Sequence, residues 1–427
     1  MSSHPSWLLS ASLLLLMQAG FGLLTTGLCR AKNAGQIISA NLMILAGSVL
    51  AFWICGFALM FGGWNFFFTP SAMGAGNVPL FVIAALLVAV AAVIPAGAMA
   101  ERWSFKSIVL YTFWVGALPI AIFGHWVWGA GWLARLGLTC GLGHGVVDFA
   151  GSSVIHLAAG VIALAGCSIL GARAGKYARD GRPKPMPGHN LIFVAIGTLI
   201  LFAGWFGFNS ASPSADAGDQ LGLLALNTLL AGAAGGFAAY VTTVRKFGKP
   251  DPSMLSNGIL AGLVAISASC PFVNSIAAVL TGALAGFLAV YSVLLFEARL
   301  KVDDPVGAIS VHGVSGAWGM ISLGLFANGS FGAGWNGVHS DAGVTGALGK
   351  VFGAPANDWS QLAAQCVGVL VCLFFIGAMA VVWFKISNFL TPLRVRREVE
   401  LAGLDLPETG AECYPDFHLT DQGGASG

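Results

Sequence analysis

Eleven stretches of about 20 predominantly apolar residues follow one another along this chain, near 7–28, 38–63, 80–100, 108–128, 148–171, 189–210, 221–244, 254–271, 274–297, 306–327 and 359–390. A backbone in hydrocarbon must satisfy its own N–H and C=O groups, so a single run of that length spans a bilayer as a helix. The rest of the chain offers no competing solution. With 57% hydrophobic and 9% charged residues among 427, it lacks the polar surface a soluble protein of this size needs. The expected class is an all-α integral membrane protein with about eleven transmembrane helices.

The basic residues orient these helices. Arg30 and Lys32 follow the first span, Arg102 and Lys106 the third, and Arg173, Lys176, Arg179, Arg182 and Lys184 the fifth. Arg245, Lys246 and Lys249 follow the seventh, Arg299 and Lys301 the ninth, and Arg394, Arg396 and Arg397 the eleventh. Loops after even spans hold only Arg135 and Lys350, so the positive-inside rule places the N-terminus outside and the C-terminus in the cytoplasm. Residues 1–392 are thus expected to form a transmembrane domain and 393–427 a cytoplasmic tail. No Lys or Arg precedes the first apolar run, which argues for a retained helix over a secretory signal.

Two spans carry the same signature at the same spacing: Asp148, Gly151, His156 and Gly160 in one, Asp304, Gly307, His312 and Gly316 in the other. A histidine in hydrocarbon is costly enough to need a partner or a task. The fifth span runs inward and the tenth outward, as an inverted repeat requires, so halves near 7–171 and 189–327 are expected to meet at a polar site, with 359–390 an added helix. The plainer reading of Asp148 and Asp304 is that they cap helix N-termini. The eight cysteines fall mostly within spans, with no paired framework or metal-ligand spacing. Neither a metal nor a cofactor is expected, and no enzyme constellation, phosphate-binding loop or nucleic-acid-binding pattern is present.

Read with their neighbours, these residues resemble the ammonium transporter (Amt/Rh) family along almost the whole chain. The similar stretches include Gln18-Ala-Gly-Phe21 to Arg30-Ala-Lys-Asn33, Ala100-Glu-Arg102, Asp148-Phe-Ala-Gly151 to His156, Pro187-Gly-His-Asn190, Gly204-Trp-Phe-Gly-Phe-Asn209, Asn257-Gly258, and Asp303-Asp-Pro305 to His312-Gly313. The resemblance implies a homotrimer in the cell membrane whose eleven-helix subunits each hold a narrow, largely apolar pore for ammonium or ammonia. It implies that His156 and His312 are the twin histidines of the pore. Trp128 and Ser212, with Asp148 near the outer entrance, recruit the cation, and Phe208 is one of two stacked gate rings. Trp128 favours the Amt branch. From the residues alone, Trp128 reads first as a membrane-interface aromatic and Ser212 as a helix cap.

The chain departs from the pattern at the second gate ring, where Leu87 stands, and at Ile83, another position often aromatic. Thr25 stands where relatives commonly carry Glu, and Thr409 takes the usual His position in a tail that resembles the family's regulatory segment. A PII-like signalling protein at the inner face is a further partner the resemblance implies. The chemistry fits independently. An aromatic face attracts a desolvated cation by about 2 kcal/mol or more, and a histidine with an unperturbed pKa of about 6.5 suits proton handling. The expected function is ammonium transport with deprotonation before passage; the alternative is an ammonium sensor with little flux, which a tail of about 35 residues does not favour.

Overall fold

The computed structural model describes residues 6–62, 66–69, 74–212, 220–338 and 346–415; the last part of the expected tail, 416–427, lies outside them. Among the described residues, ten helices are long and apolar enough to cross a membrane. They are α1 (Trp7–Leu28), α2 (Ala31–Phe61), α3 (Val78–Ala98), α4 (Phe105–Val127), α5 (Ser152–Leu170), α6 (Leu191–Ser210), α7 (Leu221–Phe247), α9 (Ser275–Arg299), α10 (Ile309–Phe326) and α11 (Ser360–Leu390). A shorter apolar helix, α8 (Pro252–Ile266), completes the eleven. The expected eighth span ran on to residue 271, but the backbone leaves the helix after Ile266 and turns. Hydropathy cannot register that stop, because residues 267–273 are fully buried and still read as apolar. Their backbone groups find partners instead in the segment before α5: Ala150 N–H donates to the Ser267 carbonyl at 3.0 Å and Phe149 N–H to Ala268 at 3.1 Å.

The repeated signature has a structural counterpart at each position. Gly151 (φ +120°) and Gly307 (φ +77°) occupy left-handed backbone that a side chain would strain, and each opens a helix whose first turn is a π-turn. At the other end of the signature, glycine lets backbones touch. A Cβ on Gly160 would lie 2.3 Å from the Cα of Gly313, and one on Gly316 would lie 2.5 Å from the Ser152 carbonyl oxygen. The N-terminal halves of α5 and α10 therefore cross at van der Waals contact, which brings the two histidines together.

Loops following odd-numbered helices meet on one face and are fastened there by buried charges. Arg173, after α5, donates from Nε and Nη2 to the two carboxylate oxygens of Asp303, after α9, both at 2.9 Å. Its Nη1 lies 3.4 Å from Glu101, after α3, and Glu101 in turn pairs with Arg30, after α1. Arg102 donates to the Asp303 carbonyl at 2.6 Å and the Gly171 carbonyl at 2.8 Å. The Ala100-Glu-Arg102 and Asp303-Asp-Pro305 motifs are thus parts of one knot. Burial alone pushes the Asp303 carboxyl up, but the hydrogen bonds and charge of Arg173 outweigh it and hold the group down at about 2.

The segment after α11 docks on the same face through α12 (Arg397–Ala402) and α13 (Asp405–Thr409). Gln36 N–H donates to Asp405 at 2.9 Å, Leu404 N–H to Asn33 at 3.0 Å, and Phe105 N–H to Glu408 at 2.7 Å. Thr409 donates to the Asp405 carbonyl at 2.6 Å and so closes its own short helix.

Candidate functional site

At the start of α5 the carboxylate of Asp148 gathers four backbone donors and a hydroxyl. Gly151 and Ser152 N–H groups donate to Oδ1, both at 2.9 Å. Ser153 N–H (2.8 Å), Ser153 hydroxyl (2.7 Å) and Val154 N–H (3.0 Å) donate to Oδ2. Asp304 does the same in the second half, accepting from Val306, Gly307 and Ile309 at 2.8–3.2 Å. This is helix capping with both oxygens committed. Asp148 is 1% exposed, so its side chain does not face the outer entrance as a free ligand.

Its backbone nevertheless ties down the two side chains expected to recruit the cation. The indole N–H of half-buried Trp128 donates to the Asp148 carbonyl at 2.7 Å, and the Ser212 hydroxyl donates to the neighbouring Phe149 carbonyl. An aromatic face and a hydroxyl oxygen, from the ends of α4 and α6, are thereby tied to adjacent peptide units. A hydroxyl whose proton is committed to a carbonyl presents lone pairs to an N–H cation. We expect Asp148→Asn to fold poorly: an amide places N–H donors against one pair of the helix N–H groups, whichever way it is turned. The effect should be about 1–3 kcal/mol, read as a fall in melting temperature in detergent; a variant of unchanged stability would contradict the capping role.

Inward of this point the aromatic and imidazole rings form a continuous stack. Phe208, fully buried on α6, lies 5.1 Å from the His156 ring centroid at 24°, and His156 lies 5.1 Å from His312 at 25°. The two imidazoles are joined Nδ1 to Nδ1 at 3.2 Å, so in a neutral pair one nitrogen is protonated and the other accepts. Nε2 of His156 has no hydrogen-bonding partner among the described residues. Phe21 of α1 lies 6.0 Å from His312, its ring tilted by 46°.

Trp205 was not singled out from the sequence, yet its ring lies 5.2 Å from His156 at 22° and it is fully buried. Its indole N–H donates to Ser267 at 3.0 Å, which locks the ring in place. The available signal was helical spacing: Trp205 and Phe208 fall at i and i+3 on one face of α6. Leu87 is fully buried in α3, and Ile83 likewise. Below His312 a narrow space leads to a cavity of about 280 Å³ that opens between the loops carrying Arg173, Lys176, Asp251, Glu297 and Asp304.

The profile of the Ammonium Transporter Family matches residues 6–414. Ammonium transporter Amt2 of Archaeoglobus fulgidus is 40% identical over 426 residues, covering 97% of this chain and 88% of its own length. Ammonium transporter Amt1 of Haloferax mediterranei is 34% identical, covering 96% of this chain and 79% of its own. Among solved structures, a sensor Amt protein superposes with a TM-score of 0.83 at 32% identity, covering 95% of this chain and 98% of that one. Mep2 of Saccharomyces cerevisiae gives a TM-score of 0.77 at 26% identity, covering 92% of this chain and 89% of that one.

Proposed function

The chain belongs to the ammonium transporter family, whose substrate is ammonium or ammonia, as a multi-pass protein of the cell membrane, and from that premise we propose that it separates ammonium into ammonia and a proton before passage. Trp128 and Ser212 recruit the cation at the outer entrance, and the segment headed by Asp148 holds them at the right spacing. Phe208 gates the way to His156, and the pair His156 and His312 takes the proton. The observation that carries this reading is the 3.2 Å Nδ1–Nδ1 contact, reached directly past the Phe208 ring. An intact cation among these apolar walls would cost several kcal/mol even after relaxation, whereas an imidazole pair accepts a proton and passes it on.

The same reading puts the N-terminus outside and the docked tail inside, with residues 1–392 as the transporting domain and 393–427 as the cytoplasmic tail. It has the subunits joined in a homotrimer through apolar helix faces such as that of α6, where Ile192 and Leu199 are about two-thirds exposed. A PII-like signalling protein is the partner of the inner face. Current recorded on liposome-reconstituted protein during an ammonium jump tests the function: separation predicts a transient current that saturates with ammonium. A second reading, an ammonium sensor with little flux, draws on the likeness to the sensor Amt protein and predicts binding with no current.

The gate in this reading has one ring, because Leu87 has no quadrupole to offer a cation. Leu87→Phe adds about three heavy atoms at a fully buried position and should cost roughly 1–3 kcal/mol of stability through overpacking. In protein that still folds, flux and selectivity should change. Identical flux and selectivity would take position 87 out of the gate.

A further inference from the structure

The chain reaches the Asp148 and Phe149 carbonyls through an irregular, buried segment, 144–147. A peptide group buried outside a helix must find its partner elsewhere in the protein. Two buried glutamines of α11 supply it. Gln365 accepts from the Val147 N–H at 2.9 Å through Oε1 and donates from Nε2 to the Val147 carbonyl at 2.7 Å. One turn earlier, Gln361 accepts from the His144 N–H at 2.8 Å and donates to the Gly145 carbonyl at 2.9 Å. Each amide offers the main chain an acceptor and a donor together, as a neighbouring strand would. The two are joined, Gln361 Nε2 donating to Gln365 Oε1 at 3.3 Å. A turn further along the same face Gly368 lets α11 close on the segment, where a Cβ would lie 2.9 Å from Cγ1 of Val146.

The matching position in the other half of the signature is held by different chemistry. Asp303 precedes Asp304 as Val147 precedes Asp148, and the Asp303 carbonyl accepts from the Arg102 guanidinium at 2.6 Å. At Val147 a neutral amide takes that place. A guanidinium there would set a fixed positive charge one residue from the carbonyl to which Trp128 is tied, and like charge repels a cation.

We propose that Gln365, supported by Gln361, is a positioning residue that sets the ammonium affinity of the site formed by Trp128 and Ser212. The proposal rests on the recruiting role given to that site above and names what holds its geometry. Trp128 donates to the Asp148 carbonyl at 2.7 Å and Ser212 to the next carbonyl, that of Phe149. The aromatic face and the hydroxyl oxygen therefore stand at a spacing fixed by the two peptide units that follow Val147. A segment released from Gln365 moves both at once, and a misplacement of about 1 Å is enough to weaken a positioned contact severely. Passage beyond the site is not touched, because the histidine pair is set by the crossing of Gly160 and Gly313.

Gln365→Met keeps the side chain's length and loses both hydrogen bonds. In reconstituted protein it should raise the half-saturating ammonium concentration about tenfold, equivalent to about 1.4 kcal/mol of binding, and leave the maximal current per folded protein at the wild-type value. Gln361→Met, whose partners lie earlier in the segment, should raise it about threefold, and it reads the same effect where Gln365→Met fails to assemble. A merely structural fault lowers the maximal current through loss of folded protein and leaves half-saturation unmoved. That result, or wild-type half-saturation in a folded variant of either glutamine, would overturn the assignment. Trp128→Ala is the reference for the site itself: wild-type half-saturation there would overturn the recruiting role, whatever the glutamine variants do. Should the wild-type protein carry no current, the same ratios are read as ammonium dissociation constants by calorimetry on protein in detergent.

Discussion

His156→Ala should abolish the ammonium-driven current while leaving ammonium binding at the outer entrance intact. The imidazole is 0% exposed, lies 3.2 Å from its partner nitrogen, and is the first proton acceptor inward of Phe208. Alanine removes that acceptor and leaves His312 without its hydrogen-bonding partner. Loss of a positioned acid–base group costs about 10²–10⁴-fold in rate, which places the expected current below detection. Trp128 and Ser212 are tied to the backbone of residues 148 and 149, not to His156, so affinity outside should not move. An acidic replacement should retain conduction and lose selectivity, since a carboxylate also relays protons but holds a bare charge in the pore. Undiminished current in the double variant His156→Ala, His312→Ala would remove the pair from the mechanism.

Arg173→Ala should be the most destabilising single change on the face where the loops after odd-numbered helices meet. The guanidinium is the hub of the knot: it donates two hydrogen bonds to Asp303 at 2.9 Å, beside one at 2.8 Å from the Arg173 backbone N–H, and faces Glu101 at 3.4 Å. Its removal strips the buried Asp303 carboxylate of its side-chain partner and leaves Glu101 to Arg30 alone, and breaking a buried pair from one side costs about 3–5 kcal/mol. A melting temperature in detergent that drops sharply is the expected result; one that is unchanged would make the knot dispensable. Acid should reach the same interaction by another path. Asp303 titrates at about 2 in the folded protein against an ordinary 3.8, so its contribution is complete above 3.8 and is lost as the pH falls through about 2.

Much of this site was legible in the chain because its constraints are local or periodic. Apolar length announced the helices, with the eighth read too long since burial looks alike in a helix and in a buried turn. The matched spacing of Asp148, Gly151, His156 and Gly160 with Asp304, Gly307, His312 and Gly316 pointed to a duplicated site. The structure gives each position its reason: a cap, a left-handed backbone, a buried imidazole paired with its counterpart and a close crossing. The motif fragments Ala100-Glu-Arg102 and Asp303-Asp-Pro305 were visible as fragments, but not as one ion network, because the charges that pair in it lie 130 residues apart in Arg173 and Asp303.

The sequence by itself determined the all-helical membrane class, the number of spans, and the placing of the loops after odd helices on one face, since hydropathy and charge act on each segment separately. Tertiary structure alone decided which groups remain available. It placed both oxygens of Asp148 on backbone N–H groups, set Trp205 against His156, and paired the Gln365 amide with the Val147 backbone. A side chain's partners are fixed by which backbones approach across the bundle, and that depends on close crossings such as Gly160 against Gly313, which no single segment encodes.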